Sequence, residues 1–94
     1  MNWFPFSRFT IYGNSMLPVL KPGQDILILC WFLSFKKGDL VVFKKGNIEM
    51  VKRVRQISSD RGIFVLGDNE KESTDSRKFG WIKKSEIIGK VIWY

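Results

Sequence analysis

The segment from Ile48 to Ile57 reads IEMVKRVRQI and is the longest run of strand-forming residues in the chain. Branched apolar side chains recur through it, and no glycine or proline interrupts it. Lys45-Gly46-Asn47 comes directly before it and is typical of a hairpin turn. The segment therefore predicts a long strand that pairs with the strand preceding the turn.

Shorter strand-like segments lie on both sides of this one, separated by turns rich in glycine, asparagine and aspartate. Gly13 to Gly23 contains two glycines and two prolines, so we predict a loop there with one helical turn. A second helical turn is expected near Ser85, and one apolar segment is expected to be buried on both faces, Ile26–Cys30. The predicted strands are Arg8–Tyr12, Ile26–Cys30, Leu40–Phe43, Ile48–Ile57, Ile63–Leu66 and Ile87–Tyr94.

The predicted fold class is mostly β. Six or seven short strands are expected to form a coiled antiparallel sheet or a partly open barrel. The chain of 94 residues suits one small domain over residues 1–94, with residues 1–12 as a short N-terminal segment.

The composition excludes several kinds of catalytic chemistry. The chain has no histidine and one cysteine, Cys30. It therefore has no Ser-His-Asp triad, no Cys-His dyad, no histidine-ligated metal, no internal disulfide and no cysteine zinc cluster. We expect neither a metal nor another cofactor. An enzyme with this composition would take its general base from a carboxylate, a lysine or a partner.

The chain is basic, with a net charge of +7. The basic residues are spread along it, mostly in pairs such as Lys83-Lys84, without the pattern of a helix-turn-helix or a basic helix. We therefore expect no nucleic-acid partner. The uncharged, mostly apolar run from Ile26 to Phe35 has ten residues, whereas a membrane span needs about 20. The start of the chain also lacks the features of a signal peptide, so a cytoplasmic protein is expected.

Lys52 occupies an unusual position in the longest predicted strand. Alternation places it on the same face as Ile48, Met50 and Val54, in the middle of an apolar row. Burial disfavours the ammonium form and lowers the pKa of a lysine, and a neutral amine can act as a general base. A lysine that reaches the sheet edge, or a bulge that turns it outward, accounts for the pattern equally well.

Two residues are candidate nucleophiles for such a base. Ser15 follows a predicted strand in the segment Gly13-Asn14-Ser15-Met16-Leu17-Pro18, where Gly13 allows a tight turn and free backbone N–H groups could face an oxyanion. Most loop serines make only local hydrogen bonds, however. Cys30 lies in an apolar run, and its expected role is to fill the core.

A polar loop, Gly67 to Arg77, reads GDNEKESTDSR. Its charged residues Asp68, Asp75 and Arg77 could form a partly buried ion pair or network. Its Ser73 hydroxyl could orient an amine. The same composition also suits a simple surface loop.

In their order along the chain, these segments resemble the motifs of the type I signal peptidases, which are serine proteases with a Ser/Lys dyad. The matching segments are Ser15-Met16-Leu17-Pro18, Gly38 to Val42, Lys52-Arg53-Val54 and Gly67 to Arg77. The resemblance extends from Gly13 to the C-terminus. It implies the fold of the signal peptidase catalytic core, Ser15 as nucleophile and Lys52 as general base.

The resemblance also implies roles for the polar loop. Ser73 would hydrogen-bond Lys52, and Asp75 and Arg77 would form a salt bridge. Asp68 and Asn69 would belong to the same support of the dyad.

The segment around the nucleophile has implied roles as well. Gly13, Asn14, Met16 and Pro18 would shape the loop that carries Ser15 and its oxyanion site. Some family members have a serine where this chain has Gly13, so the oxyanion would depend on the Ser15 N–H and a neighbour.

Within the family, the chain is most similar to the short, spanless maturation proteases of nickel-type superoxide dismutase. Twelve residues precede Gly13, and the stretch from Arg53 to Leu66 is short where many members carry a large insertion. The sequence Ser-Thr-Asp-Ser-Arg at 73–77 and the ending in Tyr94 favour the same subgroup. The implied partner is a precursor protein whose N-terminal leader is removed.

Three alternatives stay open at this stage. One is a membrane-associated signal peptidase that cleaves exported preproteins, with Trp3, Phe4, Phe6 and Trp31–Phe35 as an interfacial aromatic patch. Another is a self-cleaving regulatory domain of the LexA type, which shares a Ser/Lys dyad but lacks the Gly-Asp-Asn loop. The third is a non-catalytic binding module.

Overall fold

A computed structural model of the protein describes residues 5–31 and 34–94. Within these ranges the chain forms six strands and three short helical turns. The helical turns are 3₁₀ at Glu70–Glu72, α1 at Ser76–Phe79 and 3₁₀ at Lys84–Glu86. The strands are β1 Phe6–Thr10, β2 Asp25–Leu29, β3 Leu40–Lys45, β4 Ile48–Ser58, β5 Gly62–Leu66 and β6 Ile87–Trp93.

All six strands join one antiparallel sheet in the order β1-β2-β6-β3-β4-β5. The predicted mostly β class is therefore confirmed, and the sheet is open, with β1 and β5 at its edges. The register shifts where β6 pairs with β3, and again between Val54 and Gln56 in β4. Such irregularities increase the local twist, which coils the sheet.

The hairpin between β3 and β4 forms as predicted. Lys45 pairs with Ile48, so the turn consists of Gly46 and Asn47. Gly46 has a φ of +62°, which is the left-handed conformation that two-residue hairpin turns require. This tight turn fixes the register of β4 and therefore the face to which Lys52 points.

The hydrophobic core consists of two clusters on opposite faces of β3. Leu40 and Val42 belong to the first cluster, and Val41 and Phe43 to the second. The strand buried on both faces is therefore β3. The prediction that Ile26–Cys30 is such a strand is wrong, because Leu27 and Leu29 are only half-buried. Cys30 is half-buried and packs against the first cluster.

The first strand lies two residues earlier than predicted, at Phe6–Thr10. Ile11 exchanges backbone hydrogen bonds with Gly23 and Gln24, at 2.7 and 2.8 Å. The chain then turns at Gly13, whose φ is +76°. Tyr12 is consequently free of the sheet ladder and stands at the entrance to the next loop.

Part of the predicted aromatic patch, namely Trp3, Phe4, Phe32 and Leu33, lies outside the described residues. Of the others, Phe6 and Trp31 are exposed. Phe35 instead packs against the second core cluster. Within the described ranges, no helix combines the length and the apolar character that a membrane span requires.

Candidate active site

The structure brings Ser15 and Lys52 together, although they are far apart in sequence. The Nζ atom of Lys52 lies 2.7 Å from the Oγ atom of Ser15. Strand β4 supplies the lysine, and the loop after β1 supplies the serine. A serine hydroxyl within hydrogen-bond reach of an amine is the arrangement of a nucleophile with its base.

Lys52 is buried, with only 4% of its surface exposed. Desolvation lowers the pKa of its amine, and the negative charge of Asp75 offsets this in part by raising it. The bulge of β4 lies beyond Val54 and therefore does not turn Lys52 outward. Of the alternatives that the strand pattern left open, the structure supports burial.

The buried side chain of Met16 anchors the loop that carries Ser15 to the hydrophobic core. Met16 is 2% exposed and belongs to the first core cluster. Its carbonyl accepts a hydrogen bond from the Leu20 N–H at 2.9 Å, and Leu17 N–H donates to Asn14 O at 3.2 Å. The predicted helical turn therefore lies directly after Ser15. Pro18 is exposed on this turn.

The loop is also attached to the Gly67–Arg77 segment, which holds it from the side. The Asn69 N–H donates to Ser15 O at 2.8 Å, and the Asn69 side-chain amide donates to Asn14 O at 3.0 Å. The Asp68 N–H lies 3.4 Å from the sulfur of Met16. Through Asp68 and Asn69, these contacts attach Asn14, Ser15 and Met16 to the polar loop.

Asp75 is the centre of the polar network behind the dyad, and its side chain is fully buried. Its carboxylate accepts hydrogen bonds from Gly67 N at 2.9 Å, Ser73 Oγ at 2.7 Å and Arg77 Nε at 2.9 Å. Burial alone would raise the pKa of Asp75, but the bonds from Arg77, Gly67 and Ser73 outweigh it and lower that pKa to about 2. The carboxylate is therefore ionised at neutral pH.

Ser73 makes a different contact from the one expected. Its hydroxyl donates to Asp75, so it is not aimed at Lys52 as a donor. A hydroxyl has one proton, and a carboxylate is a stronger acceptor than an amine. Ser73 thus joins the network behind the dyad rather than bonding the lysine directly.

Asp68 also differs from expectation, because it does not join Asp75 and Arg77. It forms a two-pronged pair with Arg53, with Arg53 Nε at 2.9 Å and Nη2 at 2.8 Å from its carboxylate. Arg53 also donates to Gly38 O at 2.8 Å. Sequence reasoning missed Arg53, although it follows Lys52 in the quoted motif. The pair connects β4 to the polar loop one residue after the lysine.

Gly67 permits the close contact between the two loops. A Cβ atom there would lie 2.1 Å from Ser73 Oγ and 2.8 Å from Ser15 O. Side chains larger than glycine therefore have no room at this position unless a loop moves. Gly13, by contrast, has open space around it but a φ of +76°, so there the glycine serves the turn itself.

The dyad opens into a cleft of about 340 Å³. One wall is the segment from Ile11 to Met16, and the other is the first half of β4, from Ile48 to Lys52. Phe9, Glu72 and Thr74 complete the lining. A mostly apolar cleft with a polar pair at one end is suited to binding a chain and cleaving it there. Among the residues that the structure describes, no histidine, cysteine or acidic cluster could hold a metal.

Comparisons with known proteins identify the kind of enzyme that this site resembles. Residues 55–94 match the profile of the family described as signal peptidase, peptidase S26. Signal peptidase I of Bacillus caldolyticus is 28% identical over an alignment that covers 94% of this chain and 78% of the relative. Signal peptidase IB of Staphylococcus aureus is 34% identical, over 85% of this chain and 43% of the relative. The chain thus spans less than half the length of the latter protein.

The family profile begins after Lys52, so it covers the polar loop but not the dyad. The two relatives extend the similarity to most of the chain. The predicted enzyme class is confirmed, whereas the nickel-type superoxide dismutase subgroup is not. Over most of its length, this chain is thus similar to signal peptidases of the family described as peptidase S26.

Proposed function

We propose that this protein is a serine endopeptidase that removes an N-terminal leader from a precursor protein. The observation that carries the proposal is the buried Lys52 amine 2.7 Å from the Ser15 hydroxyl, at the end of an apolar cleft. Relatives named signal peptidases favour the leader of an exported preprotein as the substrate.

The reaction begins with a neutral Lys52 amine, which burial favours. Ser15 Oγ attacks the scissile carbonyl and forms a C–O bond, while its proton passes to Lys52 Nζ. The oxyanion receives a hydrogen bond from the Ser15 backbone N–H. The C–N bond then breaks, and the leaving amine takes the proton from Lys52. The product is an acyl-enzyme, with the leader esterified to Ser15.

Deacylation uses the same base. Lys52 takes a proton from a water molecule, which attacks the ester carbonyl. The C–O bond to Ser15 breaks, and the proton returns to Ser15 Oγ. The leader is released as a carboxylic acid, and the dyad is restored.

The substrate backbone is expected to lie extended along the first half of β4. In the described residues, β5 pairs with β4 only from Arg53 onward, which leaves the preceding residues of β4 with an unpaired outer edge beside the dyad. An extended peptide can add to such an edge by strand pairing. Small side chains before the cut would suit the confined space near Ser15, as in the leaders that signal peptidases remove.

A nickel-type superoxide dismutase precursor is the narrower candidate substrate. The residues Ser-Thr-Asp-Ser-Arg at 73–77 of the polar loop favour it, whereas the named relatives favour exported preproteins. A membrane surface is a further candidate partner, because Phe6, Trp93 and Tyr94 are at least half exposed beside a net charge of +7.

The test is cleavage of two purified precursors, a secreted preprotein and a nickel-type dismutase precursor, with product masses as readout. Wild type is expected to release one leader, at a rate that rises with pH as Lys52 loses its proton. Ser15→Ala should lose at least about a thousandfold in rate, and Ser59→Ala, in an exposed turn, should match wild type. Cleavage by Ser15→Ala at the wild-type rate would show that the assignment is wrong.

A further inference from the structure

The outer edge of β4 offers backbone groups from alternate residues. Lys45 and Ile48 close a two-residue hairpin, so the backbone groups of Ile48, Met50 and Lys52 face β3. Further along the strand, Val54 N–H bonds Asp39 O at 2.7 Å, which agrees with this alternation. The groups of Glu49 and Val51 therefore face the cleft, where an extended substrate would lie.

One of these groups already has a partner within the protein. The Tyr12 hydroxyl donates a hydrogen bond to the backbone carbonyl of Glu49. Tyr12 belongs to the wall of the cleft that carries Ser15, whereas Glu49 belongs to the opposite wall. The tyrosine therefore bridges the cleft.

The bridge crosses the cleft at a defined distance from the dyad. Glu49 precedes Lys52 by three residues, which is about 10 Å along a strand. The Tyr12 ring packs beside Phe9, with 6.4 Å between ring centroids, and the residue is 62% exposed. Little packing holds it, so a ligand can displace the ring at the cost of its hydrogen bond.

We propose that Tyr12 is a specificity-determining residue that limits how much of the substrate backbone pairs with β4. This inference rests on the proposed function and names a property of the same cleft. The bound peptide pairs with Val51 and stops short of Glu49, because the Tyr12 hydroxyl occupies the Glu49 carbonyl and the ring lies across the path. A longer paired segment forms only when Tyr12 moves aside.

The decisive variant is Tyr12→Phe, which keeps the ring and removes the hydroxyl. The matched control is Tyr94→Phe, since Tyr94 is similarly exposed, at 57%, and does not line the cleft. Both are made in a Ser15→Ala background, so that the peptide stays intact. The probe is a synthetic twelve-residue peptide with Ala-Xaa-Ala at its centre, together with a set in which one backbone amide at a time is N-methylated.

Calorimetric titration is expected to show that Tyr12→Phe binds the unmethylated peptide about two- to tenfold more tightly than its parent. N-methylation of one particular amide should abolish this gain and should leave binding by the parent unchanged. The Tyr94→Phe variant should bind like the parent. Equal or weaker binding by Tyr12→Phe overturns the inference, and so does a peptide that binds to none of the variants.

The proposed function is tested separately, by cleavage with Ser15 intact. If wild type cleaves no precursor but Tyr12→Phe still tightens peptide binding, the proposed function fails while the role of Tyr12 stands. If wild type cleaves and the affinity does not change, the inference about Tyr12 fails and the function stands.

Discussion

Replacing Asp75 with asparagine tests the network that supports the dyad. The substitution keeps the size of the side chain but replaces one carboxylate oxygen with an NH₂ donor. In one orientation that donor faces the Gly67 N–H and the Ser73 hydroxyl, which now bond the carboxylate at 2.9 and 2.7 Å. In the other orientation it faces the Arg77 guanidinium. Either way, donors face donors in a buried site.

The pKa shift and the number of hydrogen bonds lost bracket the magnitude of the effect. The pKa of Asp75 falls from 3.8 to about 2, which corresponds to about 2.5 kcal/mol of preference for the ionised form. Losing two hydrogen bonds to a buried charged acceptor costs about 1.5–3 kcal/mol each before the structure relaxes. We therefore expect Asp75→Asn to lose about 2–4 kcal/mol in the free energy of unfolding at neutral pH.

The assay is urea unfolding of wild type and variant between pH 2 and 7. Because its pKa is lowered, the Asp75 carboxylate contributes its full stability above pH 3.8 and loses it as the pH falls towards about 2. The variant should therefore lack that part of the acid-dependent loss. Asp60→Asn, in an exposed turn, is the matched control and should change stability by less than about 0.5 kcal/mol.

A second readout separates this role from simple destabilisation. The negative charge of Asp75 raises the Lys52 pKa, so Asp75→Asn should lower that pKa further. The alkaline rise of the cleavage rate should then begin at lower pH in the folded variant. A stability loss below about 0.5 kcal/mol together with an unmoved pH profile would refute this reasoning.

Two further substitutions test the other parts of the site, and Gly46→Ala is the control for one of them. Lys52→Met should abolish cleavage and raise stability at pH 7 by about 1 kcal/mol, because a buried amine is replaced by an apolar side chain. Wild type alone should gain stability as the pH rises from the lowered Lys52 pKa towards 10.5. Gly67→Ala should cost about 1–3 kcal/mol and reduce cleavage, since its Cβ would lie 2.1 Å from Ser73 Oγ. Gly46→Ala has open space but a φ of +62°, so it should cost about 1–2 kcal/mol and leave cleavage intact. Urea unfolding measures the changes in stability, and the cleavage assay measures the changes in rate. Equal cleavage rates for Gly67→Ala and Gly46→Ala would show that the close approach of Gly67 to Ser73 does not support the dyad.

The sequence predicted the central hairpin and placed Lys52 on an apolar strand face, because both depend on local patterns, but it left the burial of Lys52 open. Alternation in β4 fixes which side chains share a face, and the Gly46-Asn47 turn fixes its register. Ser15 was a weak candidate on local grounds, and only the order of the motifs connected it with Lys52. Their 2.7 Å contact joins residues 37 positions apart, which no local pattern encodes.

The predictions that were wrong concern two features: the contacts that loops make, and the burial of the two faces of a strand. Asp68 pairs with Arg53 because Arg53 lies opposite Leu66 in the pairing of β4 with β5, and Leu66 is the last residue of β5 before the polar loop. Strand β2 has as many apolar residues as β3, but a position near the sheet edge leaves one of its faces partly open. The hydrogen bond from Tyr12 could not be predicted from the sequence. Its acceptor is the backbone carbonyl of Glu49, and any residue at that position has the same carbonyl.

The absence of histidine makes the balance of charges around Lys52 decisive. In the proposed reaction the base at neutral pH is a lysine whose pKa is lowered, yet a buried carboxylate nearby favours the ammonium form. Arg77 resolves this conflict, because its guanidinium bonds both oxygens of Asp75, at 2.9 and 3.0 Å. The carboxylate can then organise Gly67 and Ser73 behind the dyad while much of its charge is balanced by Arg77. Desolvation stays the larger influence on the Lys52 pKa, and the amine keeps the tendency to be neutral that the proposed reaction requires.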